Sequence, residues 1–226
     1  MMLHVPGVLP AETIARCRGA FETQAWVDGR VTAGHQAARA KRNLQLPEDA
    51  PESREMTALV LQALERNQLY FSAVLPSRYS QILFNRYERE MQFAAHVDNA
   101  VRPILGGGAR IRTDVSATLF IAEPDEYEGG ELVVEDVYGS HEVKLPAGDL
   151  IVYPSTSVHH VRPVTAGARQ VCVFWVQSLV RDVTQRSLLF DLDMAIQNLS
   201  KTNPDHPSLV MFTATYHNLL RQWVET

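Results

Sequence analysis

The chain has 226 residues, of which 46% are hydrophobic, and its formal net charge is −5; this length and composition suit one catalytic domain with a sizeable core. No run of Lys or Arg stands out, the first residues lack a basic start followed by an apolar stretch, and no apolar run reaches eighteen residues, so we expect no strong nucleic-acid binding, no signal peptide and no membrane span. With two cysteines only, Cys17 and Cys172, we expect reduced thiols and a cytoplasmic protein.

The first third of the chain is predicted to be mostly helical. Pro10 stands near the start of a helix that carries Ile14 and Phe21 on its apolar face. Apolar residues at helical spacing predict a second helix over residues 51–64. Between the two helices, residues 28–46 are polar and rich in Gly and Ala, which is typical of a loop.

From residue 81 the pattern changes to short β-like runs. Turn-forming pairs such as Gly129-Gly130 and Ala147-Gly148 separate these runs, and closely spaced short strands with turns between them favour a jelly roll over a parallel α/β sheet. The predicted strands cover residues 82–87, 115–121, 131–134, 141–145, 149–153, 160–164 and 170–176.

The last part of the chain is predicted to be helical again. Leucine and isoleucine residues between positions 188 and 199 form one apolar stripe, and a second stripe runs from Leu209 to Trp223. Asp205 or His206 is predicted to cap this last helix, with Pro207 in its first turn. Packing against the core is the plainer interpretation of both stripes, and a homo-oligomer contact through the tail is the alternative.

One motif suggests chemistry. In the extended segment His96-Val97-Asp98, the imidazole and the carboxylate point to the same side. A second imidazole, from His159 some sixty residues later, would complete the two-His, one-carboxylate set that is typical of non-haem Fe(II) oxygenases. Taken alone, a His-x-Asp motif is more often a loop histidine beside a solvated aspartate. Arg169 follows ten residues after His159, and its planar guanidinium suits the carboxylate of a 2-oxo diacid; a surface arginine at a strand end is the alternative.

The residues around these positions resemble a known family. The similarity is carried by residues 87–102 (YEREMQFAAHVDNAVR), 118–132 (TLFIAEPDEYEGGEL) and 148–169 (GDLIVYPSTSVHHVRPVTAGAR), and residues 26–34 (WVDGRVTAG) also fit. The chain resembles the bacterial PKHD-type hydroxylases of the Fe(II)/2-oxoglutarate-dependent dioxygenase superfamily, and within them the iron-uptake-associated PiuC/YbiX group. The similarity spans nearly the whole chain.

The resemblance implies a role for each position. His96, Asp98 and His159 match the iron ligands of the family, and Arg169 matches its 2-oxoglutarate-binding arginine. Tyr87 matches a strand tyrosine that helps to hold the cosubstrate in related prolyl hydroxylases. The implied cofactors are Fe(II), 2-oxoglutarate as cosubstrate with O₂, and L-ascorbate to keep the iron reduced.

The resemblance also implies a fold and a division of the chain. The expected fold is mostly β with flanking helices, built on a double-stranded β-helix (jelly roll). We expect an N-terminal helical segment over residues 1–77 that packs on the core, a dioxygenase domain over residues 78–178, and a C-terminal helical extension over residues 179–226.

Two positions need separate comment. His160 competes with His159 for the metal, but adjacent strand residues face opposite ways, so only one of them can join the site; the family spacing to the arginine selects His159. The family usually has glycine where this chain has Glu90. A glutamate there either strains the backbone or sits in a relaxed loop, and the sequence leaves both interpretations open.

The predicted activity is coupled decarboxylation of 2-oxoglutarate and hydroxylation of a substrate C–H bond. Kinship with prolyl and lysyl hydroxylases suggests a peptide side chain as substrate, and the iron-uptake association suggests a small molecule. Two alternatives stay open: a cupin-like metalloenzyme of another class using Mn²⁺ or Zn²⁺, which would not need Arg169, and a non-catalytic sensor of iron or 2-oxoglutarate.

Overall fold

A computed structural model describes residues 1–32 and 39–225. In this part of the chain there are five helices of seven or more residues: α1 (Ala11–Thr23), α2 (Pro51–Arg66), α3 (Gln68–Val74), α4 (Val183–Thr202) and α5 (Ser208–Trp223). None of the described helices combines the length and the apolar character that a membrane crossing requires.

The strands are short, and every pair they form is antiparallel. In the described residues they are β1 (Leu3–Val5), β2 (Val27–Asp28), β3 (Lys41–Arg42), β4 (Leu44–Gln45), β5 (Pro76–Tyr79), β6 (Leu83–Tyr87), β7 (Gln92–His96), β8 (Val101–Pro103), β9 (Arg110–Arg112), β10 (Val115–Phe120), β11 (Tyr127–Gly129), β12 (Leu132–Asp136), β13 (Gly139–Val143), β14 (Leu150–Pro154), β15 (His159–Val161), β16 (Val164–Gly167) and β17 (Arg169–Ser178).

Two sheets form the core of the molecule. The larger has the order β1-β14-β10-β17-β6-β4-β2, with β5 also paired to β17, and the smaller has the order β13-β12-β15-β7-β3. Apolar side chains from both sheets meet in one buried cluster, which includes Phe120 and Val171 from the larger sheet and Leu132 and Val161 from the smaller. The predicted jelly-roll core is therefore confirmed.

The helices cover the outer face of the larger sheet. Cys17 and Phe21 of α1 and Val60 and Leu64 of α2 are buried in a second cluster against the outward side chains of β10, β14 and β17. Adjacent residues on these strands, such as Val171 and Cys172 of β17, face different clusters because successive strand side chains alternate. Helices α4 and α5 pack together at one end around a smaller apolar cluster.

Several sequence predictions need correction. The predicted loop over residues 28–46 contains β2, a 3-10 turn (Gly29–Thr32), β3 and β4; residues 33–38 lie outside the described residues. The single strand predicted over 160–164 is two strands, β15 and β16, because Pro163 lacks the N–H that a ladder needs. The N-cap position of α5 is Pro207, one or two places later than predicted; Pro207 makes no side-chain capping bond, and the N–H of Ser208 donates to Nδ1 of His206 at 3.2 Å. The division at residues 77 and 178 stays a prediction.

Candidate active site

Strand pairing brings the two predicted histidines side by side. In the pairing of β15 with β7, His159 lies directly opposite His96, and the centroids of the two imidazole rings are 4.3 Å apart. Asp98 follows two residues after His96, beyond the end of β7, and its carboxylate turns back towards both rings. Donor atoms of the three side chains lie within 4.8 Å of one another.

The two imidazoles present the same nitrogen to the shared space. Nδ1 of His96 lies 2.8 Å from the carbonyl oxygen of Ala94, and Nδ1 of His159 lies 3.0 Å from that of Ser157. A carbonyl oxygen only accepts, so each Nδ1 carries the proton and donates it. This leaves both Nε2 lone pairs free, at 4.0 and 3.6 Å from the oxygens of Asp98. An imidazole fixed through its other nitrogen in this way is the usual arrangement of a metal ligand.

The carboxylate of Asp98 is also held in place. Ser116 on β10 donates a hydrogen bond of 2.6 Å to Oδ2 of Asp98, and Ser155 lies 2.8 Å from the Ser116 hydroxyl. Aromatic rings support the imidazoles, because Phe93 stacks on His96 at 3.6 Å between centroids and Tyr153 meets the ring of His159 edge-on. The motif alone did not reveal Ser116, whose only signal is its strand position across from Tyr153.

Burial favours the ligand form of the first imidazole. Desolvation, followed by the proximity of His159, lowers the pKa of His96 well below its ordinary value. A neutral imidazole has a lone pair to give to a metal, whereas a protonated one does not. The set of two imidazoles and one carboxylate fits a divalent first-row metal such as Fe(II).

Arg169 lies at the start of β17 and is only 1% exposed. Its guanidinium carbon lies 5.2 Å from the ring centroid of Tyr87 and 5.5 Å from that of Phe120. Its Nε has no hydrogen-bond partner, and within the described residues no carboxylate lies within 4.0 Å of it. Because a buried charge is costly unless it is paired, the side chain is suited to an anion from outside the chain.

Tyr87 is the direct neighbour of this arginine. It pairs with Arg169 in the ladder of β6 and β17 and is 3% exposed. Burial raises the pKa of Tyr87 to about 12, so its hydroxyl remains a proton donor at neutral pH. A guanidinium and a phenol side by side can both donate to one carboxylate.

One cavity joins these residues. The three donors of the His-Asp-His set, Arg169 and Tyr87 all line it, and it holds about 720 Å³ of space including its open side. The chain's own residues therefore fit a metal at one place in the cavity and a carboxylate of a cosubstrate at another. Lys41 and Arg102 also line the cavity, and sequence analysis gave neither of them a role.

The other sequence candidates lie elsewhere. His160 pairs with Val133 on the strand face opposite to His159 and is not part of the donor cluster. His141 lies 2.8 Å from Asp136 at the surface, which agrees with its interpretation as an ordinary polar histidine.

Glu90 has the backbone conformation that glycine prefers. Its φ is 63°, and φ of the preceding Arg89 is 45°. The two residues form the centre of a turn in which Met91 N donates to the carbonyl of Glu88 at 3.0 Å. Of the two interpretations that the sequence left open, the structure supports backbone strain.

Sequence comparison identifies relatives over the whole chain. A PKHD-type hydroxylase of Beijerinckia indica is 57% identical over 225 residues, and the PKHD-type hydroxylase PiuC of Pseudomonas aeruginosa is 53% identical over 225 residues. In both cases the similarity covers 100% of this chain and 100% of the relative. The 2OG-Fe(II) oxygenase superfamily matches residues 82–177, and the PKHD-type hydroxylase C-terminal domain matches residues 184–225.

Solved structures show the same fold at low identity. A prolyl-4-hydroxylase of Pseudomonas putida has a TM-score of 0.53 and 19% identity, covering 78% of this chain and 92% of its own. The non-haem α-ketoglutarate-dependent epimerase SnoN has a TM-score of 0.54 and 18% identity, covering 79% of this chain and 77% of its own. With the full-length relatives and the His-Asp-His cluster, these findings show that the chain belongs to the PKHD-type hydroxylases of the 2OG-Fe(II) oxygenase superfamily.

Proposed function

We propose that this chain couples the oxidative decarboxylation of 2-oxoglutarate to the hydroxylation of a C–H bond in a second substrate. In this proposal His96, Asp98 and His159 hold Fe(II), and Arg169 with Tyr87 binds the remote carboxylate of 2-oxoglutarate. The substrate is a peptide side chain or a small molecule related to iron uptake. L-ascorbate is proposed to keep the metal reduced between turnovers.

One observation carries the proposal. The three donors and the unpaired guanidinium of Arg169 open into the same cavity. A metal site alone would also suit a cupin-like enzyme of another class. Such an enzyme has no cosubstrate carboxylate for the buried Arg169 to bind. Family membership favours the oxygenase in the same way.

The chain's own residues contribute binding and orientation. Hydrogen bonds to Ala94 and Ser157 keep Nε2 of both imidazoles directed at the metal position, and Ser116 fixes the carboxylate of Asp98. With three protein ligands only, His96, Asp98 and His159 would leave room at the metal for the cosubstrate and O₂. The bound iron supplies the O₂ activation, and the protein supplies the placement of cosubstrate and C–H bond.

Mass spectrometry tests the proposal. Purified protein is incubated with Fe(II), 2-oxoglutarate, ascorbate and a cell extract, and the small molecules and peptides are searched for products that gain one oxygen. We expect such products only when Fe(II) and 2-oxoglutarate are both present, in step with succinate release. Asp98→Ala should abolish them, whereas Asp136→Ala, which changes an exposed aspartate outside the cavity, should not.

The same experiment separates enzyme from sensor. Binding of iron and 2-oxoglutarate without any oxygenated product, across extracts from cells grown with and without iron, would favour the sensor over the hydroxylase.

A further inference from the structure

A second cationic group lies in the cavity, away from Arg169. Arg102 on β8 places its guanidinium carbon 3.5 Å from the centroid of the Trp175 ring. Its Nε is buried and has no hydrogen-bond partner among the described residues. Stacking on indole holds a guanidinium flat and leaves its edge available to an oxyanion.

Lys41 is the other member of this group. It lies on β3, which pairs with β7 opposite Phe93, and it is 5% exposed. Its Nζ contacts neutral groups: the hydroxyl of Thr32 at 3.3 Å, the amide oxygen of Gln45 at 3.4 Å, and the ring of Phe93 at 5.9 Å from the centroid. Burial, with a smaller contribution from Arg102, lowers the pKa of Lys41 to about 8. A nearby anion would offset this cost of desolvation.

Arg102 is distant from the proposed cosubstrate position. Arg102 stacks on Trp175. Trp175 and Arg169 lie six residues apart on the same face of β17, a distance of about 20 Å along the strand at roughly 3.3 Å per residue. The Trp175 end lies beside the metal ligands, because Trp175 pairs with Ser116, which donates to Asp98. Arg169 and Arg102 therefore occupy the two ends of the cavity.

The charges of the cavity do not balance. Its described lining residues include three cations, Lys41, Arg102 and Arg169, and one carboxylate, Asp98. A divalent metal and a 2-oxoglutarate dianion cancel each other, so two positive charges remain when both are bound. Among the residues that the structure describes, no carboxylate lies within 4.0 Å of Lys41 or Arg102. Residues 33–38 include no Asp or Glu.

The surface beside Lys41 is also basic. A surface groove beside β3 shares Lys41 with the cavity and is lined by Arg39, Arg42 and Arg89. Arg30, in the same groove, is paired with Asp28. A field of one sign around Lys41 favours an anionic ligand there.

We propose that Arg102 and Lys41 bind an oxyanion of the substrate, a carboxylate or a phosphate, and thereby place the substrate beside the His96–Asp98–His159 cluster. This proposal rests on the hydroxylase function proposed above, because it assigns the substrate class of that same site. Arg102 contributes two parallel donors and Lys41 contributes a point charge, which together fix one end of the substrate.

Binding of small oxyanions tests the proposal. The protein is loaded with Mn(II) and 2-oxoglutarate without O₂ and titrated by calorimetry with phenyl phosphate, phenylacetate and the uncharged phenylacetamide. We expect saturable binding of at least one of the two anions and no binding of phenylacetamide. The anion that binds with the higher affinity shows whether the site prefers a phosphate or a carboxylate. Arg102→Gln and Lys41→Gln should each weaken that binding by about tenfold or more, the loss expected for one charge-assisted hydrogen bond. Arg162→Gln, which changes a surface arginine that is paired with Glu142 and lines neither the cavity nor the groove, should not.

Further measurements keep the outcomes distinct. Thermal melts check that each variant folds, and Arg102→Lys, which keeps the charge, should retain part of the affinity. Absence of saturable anion binding, equal affinity in the Lys41→Gln/Arg102→Gln double variant, or loss through Arg169→Met instead would each overturn the proposal. Equal affinity in the double variant would mean that Arg102 only packs on Trp175. Loss of anion binding in Arg169→Met would mean that the probes enter the cosubstrate position.

The proposed function has its own readout in the same preparation. Binding of 2-oxoglutarate should persist in the Arg102 and Lys41 variants and be lost in Arg169→Met. If wild-type protein binds no 2-oxoglutarate, the proposed function fails, and the anion titration, repeated with Mn(II) alone, still decides whether Arg102 and Lys41 form an oxyanion site.

Discussion

Replacement of Arg169 by methionine separates its two properties, a buried charge and a packed stem. The methionine keeps apolar contact with Tyr87 and Phe120 and removes the guanidinium. Each charge-assisted hydrogen bond to an ionised partner contributes about 1.5–3 kcal/mol. Loss of one such bond should therefore weaken 2-oxoglutarate binding by roughly 10- to 150-fold, and loss of a bidentate pair by more.

Calorimetry and thermal melting together measure this effect. At 100 times its dissociation constant, 2-oxoglutarate stabilises the wild-type fold by about 2.7 kcal/mol, which for a chain of this size corresponds to a rise in Tm of about 5–11 °C. A 50-fold weaker variant would retain about 0.6 kcal/mol at the same concentration. Without 2-oxoglutarate, the variant should melt no lower than the wild type, because no carboxylate in the described part of the chain pairs with the arginine.

Two controls complete the test of Arg169. Metal binding should be unchanged in Arg169→Met, since the His-Asp-His donors are intact. Arg162→Met changes an arginine that is paired with Glu142 at the surface, and it should leave 2-oxoglutarate affinity unaltered. An unchanged 2-oxoglutarate affinity in Arg169→Met would refute the role of this residue.

Three further substitutions test the site and its surroundings. Glu90→Gly should raise the free energy of unfolding by about 0.5–1 kcal/mol. Relief of the left-handed φ stabilises the folded state by about 1–2 kcal/mol, and the greater freedom of the unfolded chain offsets about 0.4–1 kcal/mol of this. A lower melting temperature would contradict backbone strain at Glu90. His159→Ala should lose tight metal binding in equilibrium dialysis while His160→Ala keeps it, and the reverse result would show that the strand register is wrong. Ser116→Ala should reduce metal affinity by about 10- to 100-fold by releasing Asp98, whereas equal affinity would show that this hydrogen bond does not orient the carboxylate.

The residues that carry motifs could be predicted from the sequence. His96 and Asp98 are two apart in a segment that the sequence indicates is extended, which predicts a common direction; in the structure β7 ends at His96, and Ser116 holds the Asp98 carboxylate. The placement of His159 opposite His96 depends on a pairing between β7 and β15, which are separated by more than sixty residues. No local sequence pattern indicates that pairing, and His159 was selected as the second histidine ligand by the family resemblance.

The second cationic group was not predictable, for a physical reason. Lys41 lies on a strand of two residues, which is too short for any alternation of apolar and polar side chains, and the sequence indicates a loop there. Its position is fixed only by pairing with β7, some fifty residues away. Likewise, nothing near Arg102 in the sequence indicates that Trp175 lies beneath its guanidinium.

Local chemistry explains the smaller differences. The short helix α3 was not predicted, because seven residues are too few to show a helical apolar period. Its N-cap is Asn67, whose side-chain oxygen accepts a hydrogen bond from Tyr70 N at 2.9 Å. At Glu90, the residue type alone does not determine the backbone angle φ, so the sequence could not decide between backbone strain and a relaxed loop. The observed φ of 63° decides for strain.

The central claim is that one cavity holds the metal and the cosubstrate on the residues assigned here. A crystal structure of the protein with Mn(II) and 2-oxoglutarate, grown without O₂, tests it most directly. We expect Mn(II) bound by Nε2 of His96, Nε2 of His159 and the carboxylate of Asp98, with the remote carboxylate of 2-oxoglutarate on Arg169. A metal bound elsewhere, or 2-oxoglutarate with that carboxylate on Arg102 and Lys41, would contradict it.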